Sequence, residues 1–419
     1  MILARKIAVP ALAERARLLR LSAVVFVWQA FVGIYFLSLV QQYLPQELHA
    51  GLAYSGYAMA SYGIARFVAQ TPAGWMSDRI GRRVTMLIGV AISVPALWLM
   101  MLVPDEKAFL AFSAILGIGA AVMWPAFMAH VGETTPHGGR NRTMSLLNIA
   151  QMAGLGIGTF LGVLLADYVT YGAVFWLCIG FNALALLMVA RGIDERPREA
   201  AARERVHRVT DPFVWTPSVR VLAVIVLFLT LGTSLHTPMI GAYTHDVLRV
   251  KMSHMAVLFP LPAAVAGLAF WRYSRVADRY GRMLPLVSGL LVAAISIFAL
   301  TLTRSPWIVV NLVVLAGLAY AISIPAWAAA ALDATDACSR GVWLGALTAV
   351  QGFGVAGGQA LGGVIGGVWG PLAPFKIAAL LLMVALVLII AHQQVQTRRG
   401  RGRIDVSNMA PALAPIVPE

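Results

Sequence analysis

The stretch that decides the fold is GWMSDRIGRR at residues 74–83, where four charged side chains interrupt an otherwise apolar part of the chain. A second version, SRVADRYGRM, stands 200 residues later at 274–283 and keeps Asp278, Arg279, Gly281 and Arg282. Ser274 replaces the first glycine of that copy. Two copies of one charged loop, each following an apolar segment, indicate an internal repeat.

The repeat extends well beyond the loop at the same offset. It pairs Gly117 with Gly317, Pro125 with Pro325, Glu133 with Asp333, Arg140 with Arg340, Gln151 with Gln351, and Gly154, Gly158 and Gly162 with Gly354, Gly358 and Gly362. The glycine series predict faces where helices pack closely. An even number of apolar segments separates the copies, so both have the same orientation. Parallel repeats of this kind place a substrate site near the membrane midplane, between the halves.

The composition indicates a membrane protein. The chain has 419 residues, of which 60% are hydrophobic and 12% charged. Soluble domains are about half apolar and about a quarter charged, so a soluble, disordered or coiled-coil protein is excluded. Twelve apolar stretches are long enough to cross a bilayer, at 21–44, 51–76, 84–103, 108–131, 143–166, 171–190, 221–244, 252–271, 284–303, 305–332, 342–368 and 372–392. We therefore predict an all-α membrane protein with twelve transmembrane helices in two parallel six-helix repeats.

The formal net charge of +14 is explained by orientation, without a nucleic-acid partner. Twelve spans leave both termini on one side, and that side carries 26 Lys and Arg residues against 5 on the other. Basic loops stay in the cytosol. We expect a multi-pass protein of the cytoplasmic (inner) membrane with both termini cytosolic, and Arg66 is the basic residue left inside a span.

These features divide the chain into five parts. They are a cytosolic N-terminal segment (1–20), an N-terminal six-helix half (21–190), a cytosolic linker (191–220), a C-terminal six-helix half (221–392) and a cytosolic tail (393–419). The linker is recognised by its Arg, Glu and Pro residues, which replace apolar ones.

The loop at 74–83 resembles the signature that follows the second span in the major facilitator superfamily. The resemblance covers about residues 20–395 and implies that family's fold and secondary transport by alternating access. It also implies a charge latch between the halves that favours the outward-open state. The latch residues would be Gly74, Asp78, Arg79, Gly81, Arg82 and Arg83, with Asp278, Arg279, Gly281 and Arg282 in the second copy. Alternatively, these charges only anchor the loop and set the topology.

Within the superfamily the chain resembles exporters, and in part the Gram-positive glycolipid flippase branch. IPAW at 324–327 and VQGFG at 350–354 carry much of that likeness. The flippase branch lines its polar pocket with charged residues of spans 1 and 2. At those places this chain has Gln29, Val32 and Arg66, and it retains Trp124. Without the acidic residues, the proton coupling of that branch does not carry over directly.

Arg66 is the main candidate for substrate binding. It precedes Gly74 by eight residues, so it lies about 12 Å further along the helix into the membrane. An ionisable group at that depth costs at least ~2.5 kcal/mol and usually marks a functional site. No Asp or Glu lies clearly within a span, so Arg66 could hold an anionic group of the substrate. Alternatively, it bonds to carbonyls or polar side chains of its own half.

Further candidates for the substrate site are the polar or aromatic residues Gln29, Tyr57, Trp124, Gln151, Trp327 and Gln351. Polar positions crowd the first half, whereas the matching positions of the second half are mostly apolar. A cavity that is polar on one side and apolar on the other suits an amphipathic substrate. Each aromatic residue alone is also explained by helix packing or by anchoring at the membrane interface.

Proton coupling has one candidate residue. Proton-driven transporters use a carboxylate or a histidine inside the membrane. His236 in span 7 is an embedded group whose ordinary pKa suits a proton switch. The alternative is a histidine that is hydrogen-bonded and packed within the bundle.

The sequence thus predicts a transporter, not an enzyme, with no cofactor and no metal. The first hypothesis is export of a small amphipathic molecule, with or without proton coupling. The alternatives are a flippase for a lipid or lipid-linked sugar, uptake or facilitated diffusion of an organic anion, and a non-transporting membrane receptor. The expected partners are the substrate, membrane lipids and, if transport is coupled, protons. We expect a monomer.

Overall fold

The computed structural model describes residues 2–135, 140–193, 217–256, 283–333 and 340–398. Within these ranges no residue belongs to a strand, and helices occupy eleven of the twelve predicted spans. The predicted span 8 lies outside the described residues except for its beginning, Met252–Ala256. The all-α prediction is therefore confirmed for the part of the chain that the structure describes.

The helices follow the predicted order. Those of the first half are Ile2–Ile34, which continues as a π-helix over Tyr35–Tyr43 and a turn at Leu44–Gln46, then Leu52–Ile80, Arg82–Leu102, Glu106–Thr134, Arg140–Tyr168 and Tyr171–Gly192. Those of the second half are Pro217–Leu235, the short segments Thr237–Met239, Ile240–Ala242 and Tyr243–Val247, then Met252–Ala256, Met283–Leu300, Pro306–Asp333, Arg340–Trp369 and Ala373–Arg398. Each is called below by the number of its predicted span.

Among the described residues, seven helices are long and apolar enough to cross a membrane, judged by length and composition. Leu286–Leu300 and Pro306–Ala319 are shorter apolar helices. Span 2 has 29 residues and is long enough to cross a membrane, but it is not among the seven. Its sequence explains this, because Arg66, Gln70 and several Tyr, Ser and Gly residues dilute the apolar ones.

Span 1 is longer than predicted. One helix runs from Ile2 to Ile34, so no break separates the predicted N-terminal segment 1–20 from the membrane helix. Leu21 is buried where the predicted span begins, so packing against the core supports the helix there. The last part of the span, Tyr35–Tyr43, is π-helical. π-helical turns are rare and are frequent at functional sites.

Local sequence signals set the helix ends. Gly81 separates spans 2 and 3 with a φ of 102°, a conformation that side chains with a Cβ rarely adopt. Asp105 begins span 4, because its carboxylate accepts hydrogen bonds from the backbone N–H groups of Lys107 and Ala108 at 3.0 and 2.8 Å. Pro238 follows the end of the span 7 helix at Leu235, where a proline cannot continue the helical hydrogen bonds.

Each half has its own hydrophobic core. One cluster of buried residues extends from Leu21 to Ile193 and is rich in aromatic side chains such as Trp28, Phe31 and Tyr35. A second cluster extends from Ile225 to Ile389 and belongs entirely to the second half. Two separate cores allow each half to move as a unit against the other.

The glycine series are close-packing faces, as predicted. A Cβ built on Gly154 would overlap the backbone of Phe26, and one on Gly158 would overlap that of Ala30, so span 5 packs directly on span 1. In the second half, Gly358 and Gly362 meet Ser234 and the Leu235 carbonyl in the same way, so span 11 packs on span 7. The repeat found in the sequence therefore reappears as equivalent helix pairs.

The contacts define two ends of the bundle. Spans 2 and 11 run antiparallel, because Gly56 lies against Gly363 and Gly63 against Ala356. Span 12 therefore starts at the end where span 2 starts, and it ends beside the start of span 1. We call the end with the chain termini the terminal end and the opposite end the distal end.

The two halves meet along the distal part of the bundle. Gln41 of span 1 accepts a hydrogen bond from the backbone N–H of Gly241 at 2.9 Å. Span 2 contacts span 11 from Gly56 to Phe67. Beyond that point, most side chains of span 2 from Val68 to Pro72 are exposed. The described contacts between the halves therefore lie in the distal part of the bundle, and they close that end.

Candidate functional site

Arg66 lies at the middle of span 2. It is the central residue of the 29-residue helix Leu52–Ile80, and its depth in the membrane stays a prediction. The side chain is half-buried. Within the described part of the chain it has no ion pair, and its charge acts on the hydroxyl of Tyr62, one turn earlier. A helical side chain leans toward the helix N-terminus, so the guanidinium points toward the distal end.

Arg66 also lies at the seam between the halves. Its neighbour Phe67 contacts span 11, where a Cβ on Gly352 would lie 3.3 Å from the phenyl ring. On the other side, Gly63 lies against Ala356. Gln351 precedes Gly352, so it stands at nearly the same depth as Arg66 on the opposing helix. This register brings a cation of the first half and an amide of the second half to the seam.

Three further predicted residues share this depth to within one or two helical turns. Gln151 is the repeat mate of Gln351 and is half-buried on span 5. Gln29 lies on span 1 between Phe26 and Ala30, which pack on Gly154 and Gly158, and it is 9% exposed. Trp124 is half-buried and stacks on Phe127, with 6.0 Å between ring centroids. The polar candidates of the first half thus lie within one or two helical turns of Arg66.

Tyr57 and His236 lie elsewhere. Tyr57 precedes Arg66 by nine residues, about 13 Å nearer the distal end, and its ring packs edge-on against Tyr54. His236 follows the end of the span 7 helix and packs at a tilt against Phe375 of span 12, with 5.4 Å between centroids. Both are therefore separated from the Arg66 level.

Five predicted residues fall outside the residues whose side chains the structure describes. They are Trp327 and the second loop copy, Asp278, Arg279, Gly281 and Arg282. Their proposed roles stay predictions. Among the described residues there is no group of three or more His, Cys, Asp and Glu that could hold a metal ion.

A cavity of about 720 Å³ lies within the second half, lined mostly by apolar side chains of spans 7, 9, 10, 11 and 12. Val310 and Gly317 line it. Their repeat mates in the first half, Leu110 and Gly117, hold span 2, because Ser61 donates a hydrogen bond to the Leu110 carbonyl and Gly117 abuts the Tyr62 backbone. The repeat therefore predicts this space for span 8, most of which lies outside the described residues. Two predicted site residues, His236 and Gln351, line the same cavity.

The loop at 74–83 forms a charge cluster centred on Arg82. Its guanidinium contacts Asp78 at 2.7 Å, Glu133 of span 4 at 2.9 Å and the Ser77 hydroxyl at 2.8 Å. Arg83 donates to the carbonyl of Ala190 in span 6. The two arginines thus tie together spans 2, 3, 4 and 6 of the first half.

Two other residues of this loop, Arg79 and Gly74, have different surroundings. Arg79 stacks over the ring of Trp75, 3.6 Å from its centroid. No described atom lies within 4 Å of a Cβ built on Gly74. In this conformation, therefore, the glycine does not serve helix packing within the described part of the chain.

Sequence reasoning missed two acidic residues that the structure places at junctions. Glu133 is the partner of Arg82, and the repeat contains a signal for it, since Arg282 and Asp333 stand at the matching positions. Asp167, at the end of span 5, bonds to both halves of the chain. A residue at a helix end has no periodic signal, so the sequence could not show this contact.

The comparisons with known proteins agree with this architecture. The sequence model of the Major Facilitator Superfamily matches residues 21–337 and 273–415. The chain belongs to the major facilitator superfamily. Its members are membrane transporters, so the protein is a multi-pass transporter, as the repeated loop predicted.

Relatives and solved structures of the superfamily align with most of the chain. The "Proton-coupled antiporter flippase LtaA" of Staphylococcus haemolyticus is 22% identical, with 82% of this chain and 85% of that protein aligned. The human organic anion transporter MFSD10 (TETRAN) superposes with a TM-score of 0.65 at 18% identity, covering 90% of this chain and 99% of that one. A variant of the nucleoside transporter NupG gives 0.77 at 13% identity, with the same coverage. At such identities the structures show the fold alone.

Proposed function

We propose that this member of the superfamily exports an amphipathic molecule by alternating access, and that Arg66 binds its anionic or polar group. The observation that carries the proposal is the position of Arg66, at the centre of span 2 and at the seam between the halves. Placing a cation at mid-membrane costs about 2.5–3.5 kcal/mol on insertion scales. A folded chain keeps such a residue where the charge serves binding.

The neighbours of Arg66 support an amphipathic substrate. Gln29 and Gln151 stand at a similar depth on the first half, and Gln351 stands near that depth on the second half, where it lines the apolar cavity. Most second-half positions that match polar residues of the first half are apolar, such as Leu229 and Phe270. A polar head would therefore be held by the first half, while an apolar tail would contact the second.

Orientation follows from the charge bias as part of the proposal. With the terminal end cytosolic, the distal end faces outward, and the described contacts close the outward-facing end. Substrate would then enter from the cytosol or the inner leaflet and reach Arg66. Closing the terminal end and opening the distal end would release it outside, with the 74–83 loop acting as the latch of that outward-open state.

A vesicle assay tests the proposal. Protein in liposomes is given a fluorescent lysophosphatidate, and a membrane-impermeant quencher reports its transfer between leaflets. Wild type should accelerate transfer, and Arg66→Ala should abolish the acceleration while remaining folded. Arg191→Ala is the matched control, because Arg191 is exposed at the end of span 6. Full transfer by the Arg66 variant would remove the residue from the mechanism.

A flippase for a lipid or lipid-linked sugar is the second candidate. It is favoured by the LtaA relatives, whose name states that activity and whose similarity extends over most of the chain. The same vesicles distinguish the two functions. A flippase should move two-chain lipid probes, whereas a small-molecule exporter should move only the single-chain probe.

Proton coupling through His236 is a further part of the proposal. The imidazole lies inside the bundle of the second half, between spans 7 and 12. If it carries the coupled proton, His236→Gln should transport substrate but no longer respond to an imposed pH gradient. A wild-type flux that ignores the gradient would instead identify facilitated diffusion.

A further inference from the structure

Asp167, the acid at the distal end of span 5, bonds to both halves of the protein. One carboxylate oxygen accepts a hydrogen bond from the side-chain amide of Gln42 in span 1 at 3.0 Å. The other accepts a bond from the backbone N–H of Ser253, where span 8 begins, at 2.7 Å. Gln42 and Ser253 are 1% and 2% exposed, so both donors are removed from water. One charge thus joins spans 1, 5 and 8.

The next residue of span 5 makes contacts to the same part of the second half. The ammonium of Lys251 lies 4.6 Å from the centroid of the Tyr168 ring. The Tyr168 hydroxyl lies 3.4 Å from Nε2 of His254. Two consecutive side chains of span 5 therefore hold the first residues of span 8.

We propose that Asp167 acts with the Gln41–Gly241 bond to hold the distal end closed, and that its charge shifts the balance between the two conformations of the transport cycle. A contact inside one half stabilises both conformations equally. A contact between the halves stabilises only the conformation in which they touch, so it shifts the equilibrium. The proposal rests on alternating access, but it does not depend on the substrate or on Arg66.

The chain contains a matched control for this idea. Asp105 is also an acid at the distal end that accepts hydrogen bonds from two backbone N–H groups, those of Lys107 and Ala108. Both donors belong to its own helix. Removing the charge of Asp105 therefore removes a helix cap, whereas removing that of Asp167 removes a bond between the halves.

Distances across the distal end test the proposal. Spin labels are placed at Val103→Cys and Leu302→Cys, which are exposed at the distal ends of the first and second halves, in a chain with Cys178 and Cys338 replaced. Wild type should give a short distance. Asp167→Asn should raise the ratio of the long to the short distance by about tenfold, since a hydrogen bond to a charged group is lost. Asp105→Asn should leave the ratio unchanged.

A second variant removes the other partner of the same bond. Ser253→Pro lacks the donor N–H but keeps the charge of Asp167, and proline is tolerated in a first helical turn. It should raise the long-distance fraction as Asp167→Asn does. A wild-type distance ratio in both variants, or an equal rise in Asp105→Asn, would overturn the proposal. Because no substrate is added, either result leaves the role of Arg66 untouched.

Discussion

Gly56 offers a sharp test of how the distal end closes. A Cβ at this position would lie 2.5 Å from the carbonyl oxygen of Gln359 and 2.6 Å from the Cα of Gly363, both on span 11. Ordinary contact begins at 3.4 Å, so Gly56→Ala requires spans 2 and 11 to separate by roughly 0.9 Å. Both obstacles are backbone atoms, which side-chain rotation cannot move.

This overlap destabilises only the conformation in which the distal end is closed. Overpacking costs about 1–3 kcal/mol, which corresponds to an equilibrium shift of about 5- to 150-fold. Since the contact exists only while the halves touch, we expect Gly56→Ala to populate the conformation with an open distal end. The spin-label pair at Val103 and Leu302 measures this as a gain of long distances.

Two other glycines serve as controls for that experiment. Gly156→Ala meets no described atom within 4 Å and should change nothing. Gly158→Ala would overlap the backbone of Ala30 within the same half, so it should lower the melting temperature without changing the distance ratio. If Gly56→Ala kept the wild-type distances, or behaved as Gly158→Ala does, spans 2 and 11 would not close the distal end through Gly56.

Three further outcomes are expected. Arg82→Ala should lower stability more than Glu133→Gln, because Arg82 also bonds to Asp78 and Ser77. A double-mutant cycle should give a coupling of about 1 kcal/mol for their half-buried ion pair; additive losses in thermal unfolding would exclude the pair. Gly81→Ala should cost about 1–3 kcal/mol, because its φ of 102° strains a residue with a Cβ; an unchanged melting temperature would contradict this. His236→Gln should fold normally and lose only its response to a pH gradient in vesicles.

The sequence was most informative where a feature recurs. The glycine series at 154–162 and 354–362 predicted two helix pairs, and both pairs pack as expected. Recurrence works because each repeat solves the same packing problem twice. The distance of Arg66 from the loop along its helix was also predictable, since helical rise converts sequence separation into length.

Contacts between distant residues were beyond the sequence. Asp167 looks like an ordinary acid at a span end, and only the fold brings Ser253 to it. The π-helix at Tyr35–Tyr43 is another example, because no residue pattern distinguishes its sequence from an α-helical span.

The most direct test of the central claim is a binding measurement with two probes that share one acyl chain. Lysophosphatidate carries an anionic head and monoacylglycerol an uncharged one, and each is titrated into detergent-purified wild type, Arg66→Ala and Arg191→Ala. Since a hydrogen bond to a charged group contributes about 1.5–3 kcal/mol, wild type and Arg191→Ala should prefer the anion by about 10- to 100-fold. Arg66→Ala should bind both probes equally. An undiminished preference for the anion in Arg66→Ala would contradict the claim that Arg66 recognises the substrate.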